Sequence, residues 1–204
     1  MGGRGGGVSS CVKKWCSLNG CCSFCVKCFP VPHFALSVFL AGVLMSNLNS
    51  DSIFTACRNG NVERVRKYVL DGGCVREPDE YRMTMLHHAA FGGSVEVVDL
   101  ILKSSKEAPE IDAADAEGWT PLHYACDRGH AAIANRLIDE GANVNAKDTM
   151  RKTPLHLCSS KGSVAVVNVL LARGAAKGMK SVAGLDAATY AQENGHHEIV
   201  TLLS

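Results

Sequence analysis

Five glycines, Gly60, Gly93, Gly129, Gly162 and Gly195, each stand four residues after a small side chain: Ala56, Ala89, Ala125, Cys158 and Ala191. Successive glycines are 33, 36, 33 and 33 residues apart. Self-similarity at a fixed period of this size belongs to stacked repeats, each a small unit that cannot bury its apolar face alone. Three of the copies carry a longer phrase: Thr84-Met85-Leu86-His87, Thr120-Pro121-Leu122-His123 and Thr153-Pro154-Leu155-His156. A catalytic or metal motif has no reason to recur at constant spacing, so the phrase is read as scaffold.

Residues 115–147 are the best-written copy. Asp115-Ala116-Glu117-Gly118 has the chemistry of a tight turn, with Asp first and Gly fourth. Thr120 follows as an N-cap, and Pro121 takes the first helical position, where its missing N–H costs nothing. A short helix carries Leu122 and Ala125 inward and stops at Gly129, which can adopt the left-handed conformation. A second helix presents Ile133, Ala134, Leu137 and Ile138 as one apolar stripe and ends at Gly141. The stripe recurs as Val97, Val98, Ile101 and Leu102, as Val166, Val167, Leu170 and Leu171, and as Ile199, Val200 and Leu203.

Turn, Thr-Pro-Leu-His-x-Ala, second helix and the exit Gly141-Ala142-Asn143-Val144-Asn145-Ala146 together resemble the ankyrin-repeat family. The resemblance covers about three-quarters of the chain. It implies an all-α solenoid of stacked helix–turn–helix units joined by β-hairpin-like loops. The array is expected over residues 46–204, in units of about 47–78, 79–114, 115–147, 148–180 and 181–204. The first unit lacks the Thr-Pro start and has Arg64 where other copies have Val or Ile; the fifth substitutes Asp186-Ala187-Ala188-Thr189. Terminal units face water on one side, so both read as caps. Three extra residues lengthen the stretch Lys103–Pro109 between the second and third units, an insertion that surface loops tolerate at small entropic cost.

Composition removes several classes of function. All four charges before Ser46 are basic, which leaves 17 basic and 20 acidic residues for the array, a net charge near −3. Nucleic-acid binding calls for a basic face, so none is expected. His87, His123 and His156 occupy equivalent places in successive units and cannot converge on one metal ion; the resemblance gives them hydrogen bonds within and between units. The chain has no His-Glu-x-x-His, no phosphate-binding Gly-Lys-Ser/Thr loop and no Gly-x-Ser-x-Gly elbow. No enzyme activity, cofactor or metal is expected. Cys57, Cys126 and Cys158 follow the repeat rather than a disulfide framework, which points to a reducing, cytoplasmic compartment, with the nucleus also compatible.

Function is expected on the surface. In ankyrin-repeat proteins, contacts come mostly from hairpin tips and exposed positions of the first helices, on the concave side. Transferred by position, these places are Glu80, Tyr81, Met83 and Phe91 in the second unit. The third unit gives Ala116, Glu117, Trp119, Asp127 and Arg128, with Tyr124 nearby; the fourth gives Thr149, Met150, Lys152, Ser160 and Lys161. Aromatic, Met and Arg side chains are enriched at interface centres, so an unidentified protein ligand anchored on Trp119 and Tyr81 is expected, bound by a monomeric array.

Residues 1–45 differ in character, with six cysteines in the first 28 residues and an apolar run from Phe34 to Met45. That run is shorter than the ~20 residues a spanning helix needs. Three readings stand. The segment tethers the protein to a membrane through acylated cysteines beside a hydrophobic stretch, with Lys13, Lys14 and Lys27 facing anionic lipid; or its cysteines bind zinc, although two separated Cys-x-x-Cys pairs are lacking; or translation starts at Met45 and residues 1–44 are absent from the working protein.

Overall fold

A computed structural model describes residues 52–104 and 109–204. The expectations for residues 1–45, and the middle of the Lys103–Pro109 insertion, lie outside them. Among the described residues there are ten helices and no strand, arranged as five successive pairs. The first helices of the pairs are α1 (Ile53–Arg58), α3 (Met85–Gly92), α5 (Pro121–Arg128), α7 (Pro154–Lys161) and α9 (Ala187–Glu193). Their partners are α2 (Val62–Leu70), α4 (Val95–Leu102), α6 (Ala131–Asp139), α8 (Val164–Ala172) and α10 (His197–Leu203). Each first helix packs on the next first helix and each second helix on the next second helix, so the pairs stack as the period requires.

The Thr-Pro-Leu-His phrase, with Met85 in place of Pro in its first copy, closes three of the first helices, α3, α5 and α7, at their starts. The Thr84 backbone N–H donates to His87 Nδ1 at 3.0 Å, Thr120 to His123 at 3.1 Å and Thr153 to His156 at 3.0 Å. Because Nδ1 accepts, the proton sits on Nε2, which donates across the junction to the next unit. The acceptors are the carbonyls of Trp119 at 3.0 Å, Lys152 at 3.3 Å and Met179 at 3.0 Å. The three rings are buried, and desolvation pushes each imidazole below its ordinary pKa. All three are therefore neutral structural bridges. Gly93, Gly129 and Gly162 end these helices in the left-handed conformation, with φ of 87°, 78° and 78°. In the first and fifth pairs, Ser52 and Asp186 replace the threonine, each side chain accepting an N–H three residues on.

The core is one layer of small and branched side chains running through all five pairs. Along the first helices it is narrow: Ala56, Ala89, Ala90, Ala125 and Cys126 are buried, and a Cβ on Gly92 would lie 2.0 Å from the Arg58 carbonyl oxygen. Along the second helices larger residues, Val98, Ile101, Leu137 and Leu170, keep the rods apart. First helices consequently pack closer together than second helices, and the row α1, α3, α5, α7 and α9 is the one that the family resemblance expects on the concave side. Cys57, Cys126 and Cys158 are free and fully buried; burial pushes the Cys57 and Cys158 thiols up to about 12. They act as small apolar side chains.

On the convex side charges link neighbouring units. Arg136 pairs with Asp99 of the preceding unit at 2.6 Å as well as with Glu140 of its own unit at 2.7 Å, and Arg173 with Asp139 of the preceding unit at 2.6 Å. Among the described residues no helix is long and apolar enough to cross a membrane.

Candidate functional site

The hairpin tips are built by an aspartate. Asp115 Oδ1 accepts the N–H of Glu117 at 2.9 Å and of Trp119 at 2.8 Å, while its own N–H donates to the Trp119 carbonyl at 3.0 Å. Asp79 does the same for Tyr81 and Met83, and Asp148 for Met150 and Lys152. The fourth place in each turn is left-handed. Gly118 fills it in the third unit, as the turn chemistry predicts, but Arg82 (φ 64°) and Arg151 (φ 56°) hold it in the second and fourth. The paired aspartate bonds impose the turn even where the residue disfavours it. Successive tips are laced together: Ala116 N–H donates to the Tyr81 carbonyl at 3.1 Å, Thr149 to Glu117 at 3.1 Å and Val182 to Met150 at 2.9 Å. This lacing fixes one row of outward side chains along the array.

The residues singled out from the sequence divide into two groups. Phe91, Trp119, Tyr124, Asp127, Arg128 and Met83 come together on the concave side of the second and third units. Tyr124 is the centre: its ring lies 5.0 Å from that of Trp119 and 6.0 Å from that of Phe91, edge-on to the latter. Its hydroxyl donates to Asp115 Oδ2 at 2.7 Å and lies 3.9 Å from Met83 Sδ. Desolvation, helped by that carboxylate, holds the phenol well above its ordinary pKa. Tyr124 thus positions Trp119 and Phe91 while its own polar group is spent inside the protein.

Phe91 carries two cations. The Arg58 guanidinium lies 4.0 Å from its ring centroid and that of Arg128 lies 3.8 Å away. Arg128 and Lys161 both approach Asp127, at 3.7 Å and 3.4 Å.

The second group is not drawn into this cluster. Tyr81 and Met150 stand out at the tips, 63% and 52% exposed, with Glu80, Glu117, Ala116 and Thr149 exposed around them. Lys152 turns toward the fifth unit, its Nζ lying 5.3 Å from the Tyr190 ring centroid. Ser160 is half-buried and its carbonyl accepts from His196 Nε2 at 3.1 Å.

Sequence reasoning passed over Arg58, His88, Val182 and Tyr190. Arg58 stands 33 residues before Phe91, so the repeat register alone places it on the concave row. His88 occupies the place of Tyr124 in the second unit and bonds Asp79 Oδ2 at 2.8 Å. Tyr190 holds that place in the fifth and donates to Ser181 Oγ at 3.2 Å. Val182, 59% exposed, continues the tip row beyond Met150. Beside Arg58 a shallow hollow of about 420 Å³ is lined by Phe54, Thr55, Asp79, Glu80 and His88.

Comparison with known proteins follows this geometry. A family model described as ankyrin repeats (3 copies) matches residues 33–113 and 105–181. The chain is similar to the mouse RelA-associated inhibitor (Mus musculus), 29% identical over 90 residues, which is 44% of this chain and 11% of that protein. It is 32% identical over 88 residues to human (Homo sapiens) ankyrin repeat and SOCS box protein 3, 43% of this chain and 17% of that one. Human protein phosphatase 1 regulatory subunit 27 is 41% identical over 61 residues, 30% of this chain and 38% of that subunit. The chain spans less than two-fifths of the length of each of these relatives.

Proposed function

The chain belongs to the ankyrin-repeat family, and from that premise we propose that it is a non-catalytic adaptor or regulatory subunit that binds a protein partner on its concave side. The carrying observation is the cluster of Trp119, Tyr124 and Phe91 clasped by Arg58 and Arg128. Tyrosine, tryptophan and arginine are the residue types that dominate binding energy at interface centres. Here the rings and guanidiniums pack on one another and Tyr124 is bonded to Asp115, which limits the side-chain entropy lost on association. Tyr81, Met150 and Val182 extend the surface along the tips, and Glu80, Glu117, Lys152 and Lys161 form its charged rim. Two of the relatives are named as an inhibitor and a regulatory subunit, which supports a regulatory role over a purely architectural one. The compartment assigned to this activity is the cytoplasm, on the strength of the free cysteines.

The test begins by identifying partners of the full chain by proximity labelling and confirming one with purified proteins. Replacing Trp119 and Tyr81 together by Ala is expected to weaken that complex at least tenfold, about 1.4 kcal/mol. Replacing the convex-side Glu96 by Ala is expected to leave it unchanged. Equal affinity for all three proteins, with helix content intact by circular dichroism, refutes the concave site.

A further inference from the structure

Arg58, Phe91 and Arg128 come from three successive first helices and form one device. A guanidinium stacked on a ring uses its π face for that contact and keeps its edge of N–H donors available. Neither edge is consumed internally. Among the described residues Arg58 has no carboxylate within 4 Å, and Arg128 meets only its neighbour Asp127, at 3.7 Å and without a hydrogen bond. Both side chains are exposed. The array as a whole is acidic, with 20 acidic against 17 basic residues after position 45, so this pair is a local inversion of the surrounding charge. The ring pins the spacing as well: each guanidinium carbon is within 4.0 Å of one centroid, so the two are no more than about 8 Å apart.

We infer that this arginine–phenylalanine–arginine clasp reads an extended acidic segment of the partner, with carboxylates on alternate residues. In an extended chain, side chains at i and i+2 leave the same face about 6.6 Å apart, at ~3.3 Å per residue. Two such carboxylates meet the two guanidinium edges together, each in the fork geometry that Arg favours. Adjacent carboxylates point to opposite faces and engage one arginine at a time. This inference rests on the concave-side reading above and specifies the chemistry of its ligand.

Two heptapeptides of equal composition test it: Gly-Ser-Glu-Ala-Glu-Ser-Gly and its isomer Gly-Ser-Ala-Glu-Glu-Ser-Gly. Each is titrated into the full chain while the Arg side-chain Nε–H signals are followed by NMR. The alternating peptide is expected to shift the Arg58 and Arg128 signals and to bind at least fivefold more tightly than the isomer. Arg58→Lys and Arg128→Lys, which keep the charge but lose the fork, are each expected to weaken it at least threefold. Equal affinity of the isomers, shifts confined to other arginines, full binding by the Lys variants, or binding of a phosphoserine peptide alone overturns the clasp. If the clasp fails while the Trp119 and Tyr81 replacement still releases the protein partner, the concave-side reading stands and only its acidic ligand is wrong.

Discussion

Ser159 Oγ is fully buried and, among the described residues, is the one buried side-chain oxygen or nitrogen with no hydrogen-bond partner. It lies in the row that Cys57, Ala90 and Cys126 fill in the preceding units, all buried and none needing an acceptor. A buried hydroxyl left unpaired costs about 1–3 kcal/mol, so Ser159→Ala is expected to stabilise the protein by about 1 kcal/mol, seen as a higher urea midpoint with an unchanged slope. A lower midpoint would mean that the hydroxyl has a partner. At this scale the sequence was legible wherever a residue's role is local. Thr120, Pro121 and His123 announce a helix start because all their partners within the unit lie within three residues. It was opaque wherever the role depends on the neighbouring unit. Arg58 looks like an ordinary surface charge until Phe91 is placed beside it, and Tyr124 looks like a free interface ring until Phe91 and Met83 of the preceding unit are set against it.

The short helices hold together through their closeness, and α1 against α3 is the tightest case. Gly92 is helical and its absent side chain makes room for the backbone of Arg58. Since backbone cannot swing aside, Gly92→Ala is expected to force the helices apart at an overpacking cost of about 1–3 kcal/mol. Hydrogen exchange should report it selectively, with amides of Ile53–Arg58 losing protection before those of α7. Uniform loss along the array, or none, would contradict this account of the junction. Helix identity and order were readable from the period and the apolar stripes. The closer packing of the first helices was not, because it depends on alanine-sized contacts on one side and leucine-sized contacts on the other, set by neighbouring units. The left-handed turns at Arg82 and Arg151 were also hidden, since arginine carries none of glycine's signal for that conformation.

Over the whole molecule the three bridging histidines act in concert. Each is neutral in the folded state with its pKa held down, whereas unfolded histidine titrates near about 6.5. Below that value the unfolded chain takes up protons that the native state refuses, so stability is complete above about pH 6.5 and falls as the pH drops. Each histidine adds up to about 1.4 kcal/mol per pH unit. Urea midpoints measured from pH 7.5 to pH 5 are expected to fall steeply, and His123→Gln, though less stable at neutral pH, should lower the slope by about a third. An unchanged slope would show that His123 does not titrate on unfolding. Among the described residues these bridges, the tip lacing and the ion pairs Arg136–Asp99 and Arg173–Asp139 join only adjacent units, and the longest hydrogen bond in sequence spans 41 residues. Among the described residues no hydrogen bond or ion pair ties the first pair of helices to the last. The stack is therefore fastened junction by junction, so damage at one junction is expected to loosen the two pairs of helices it joins and to leave distant pairs as they were.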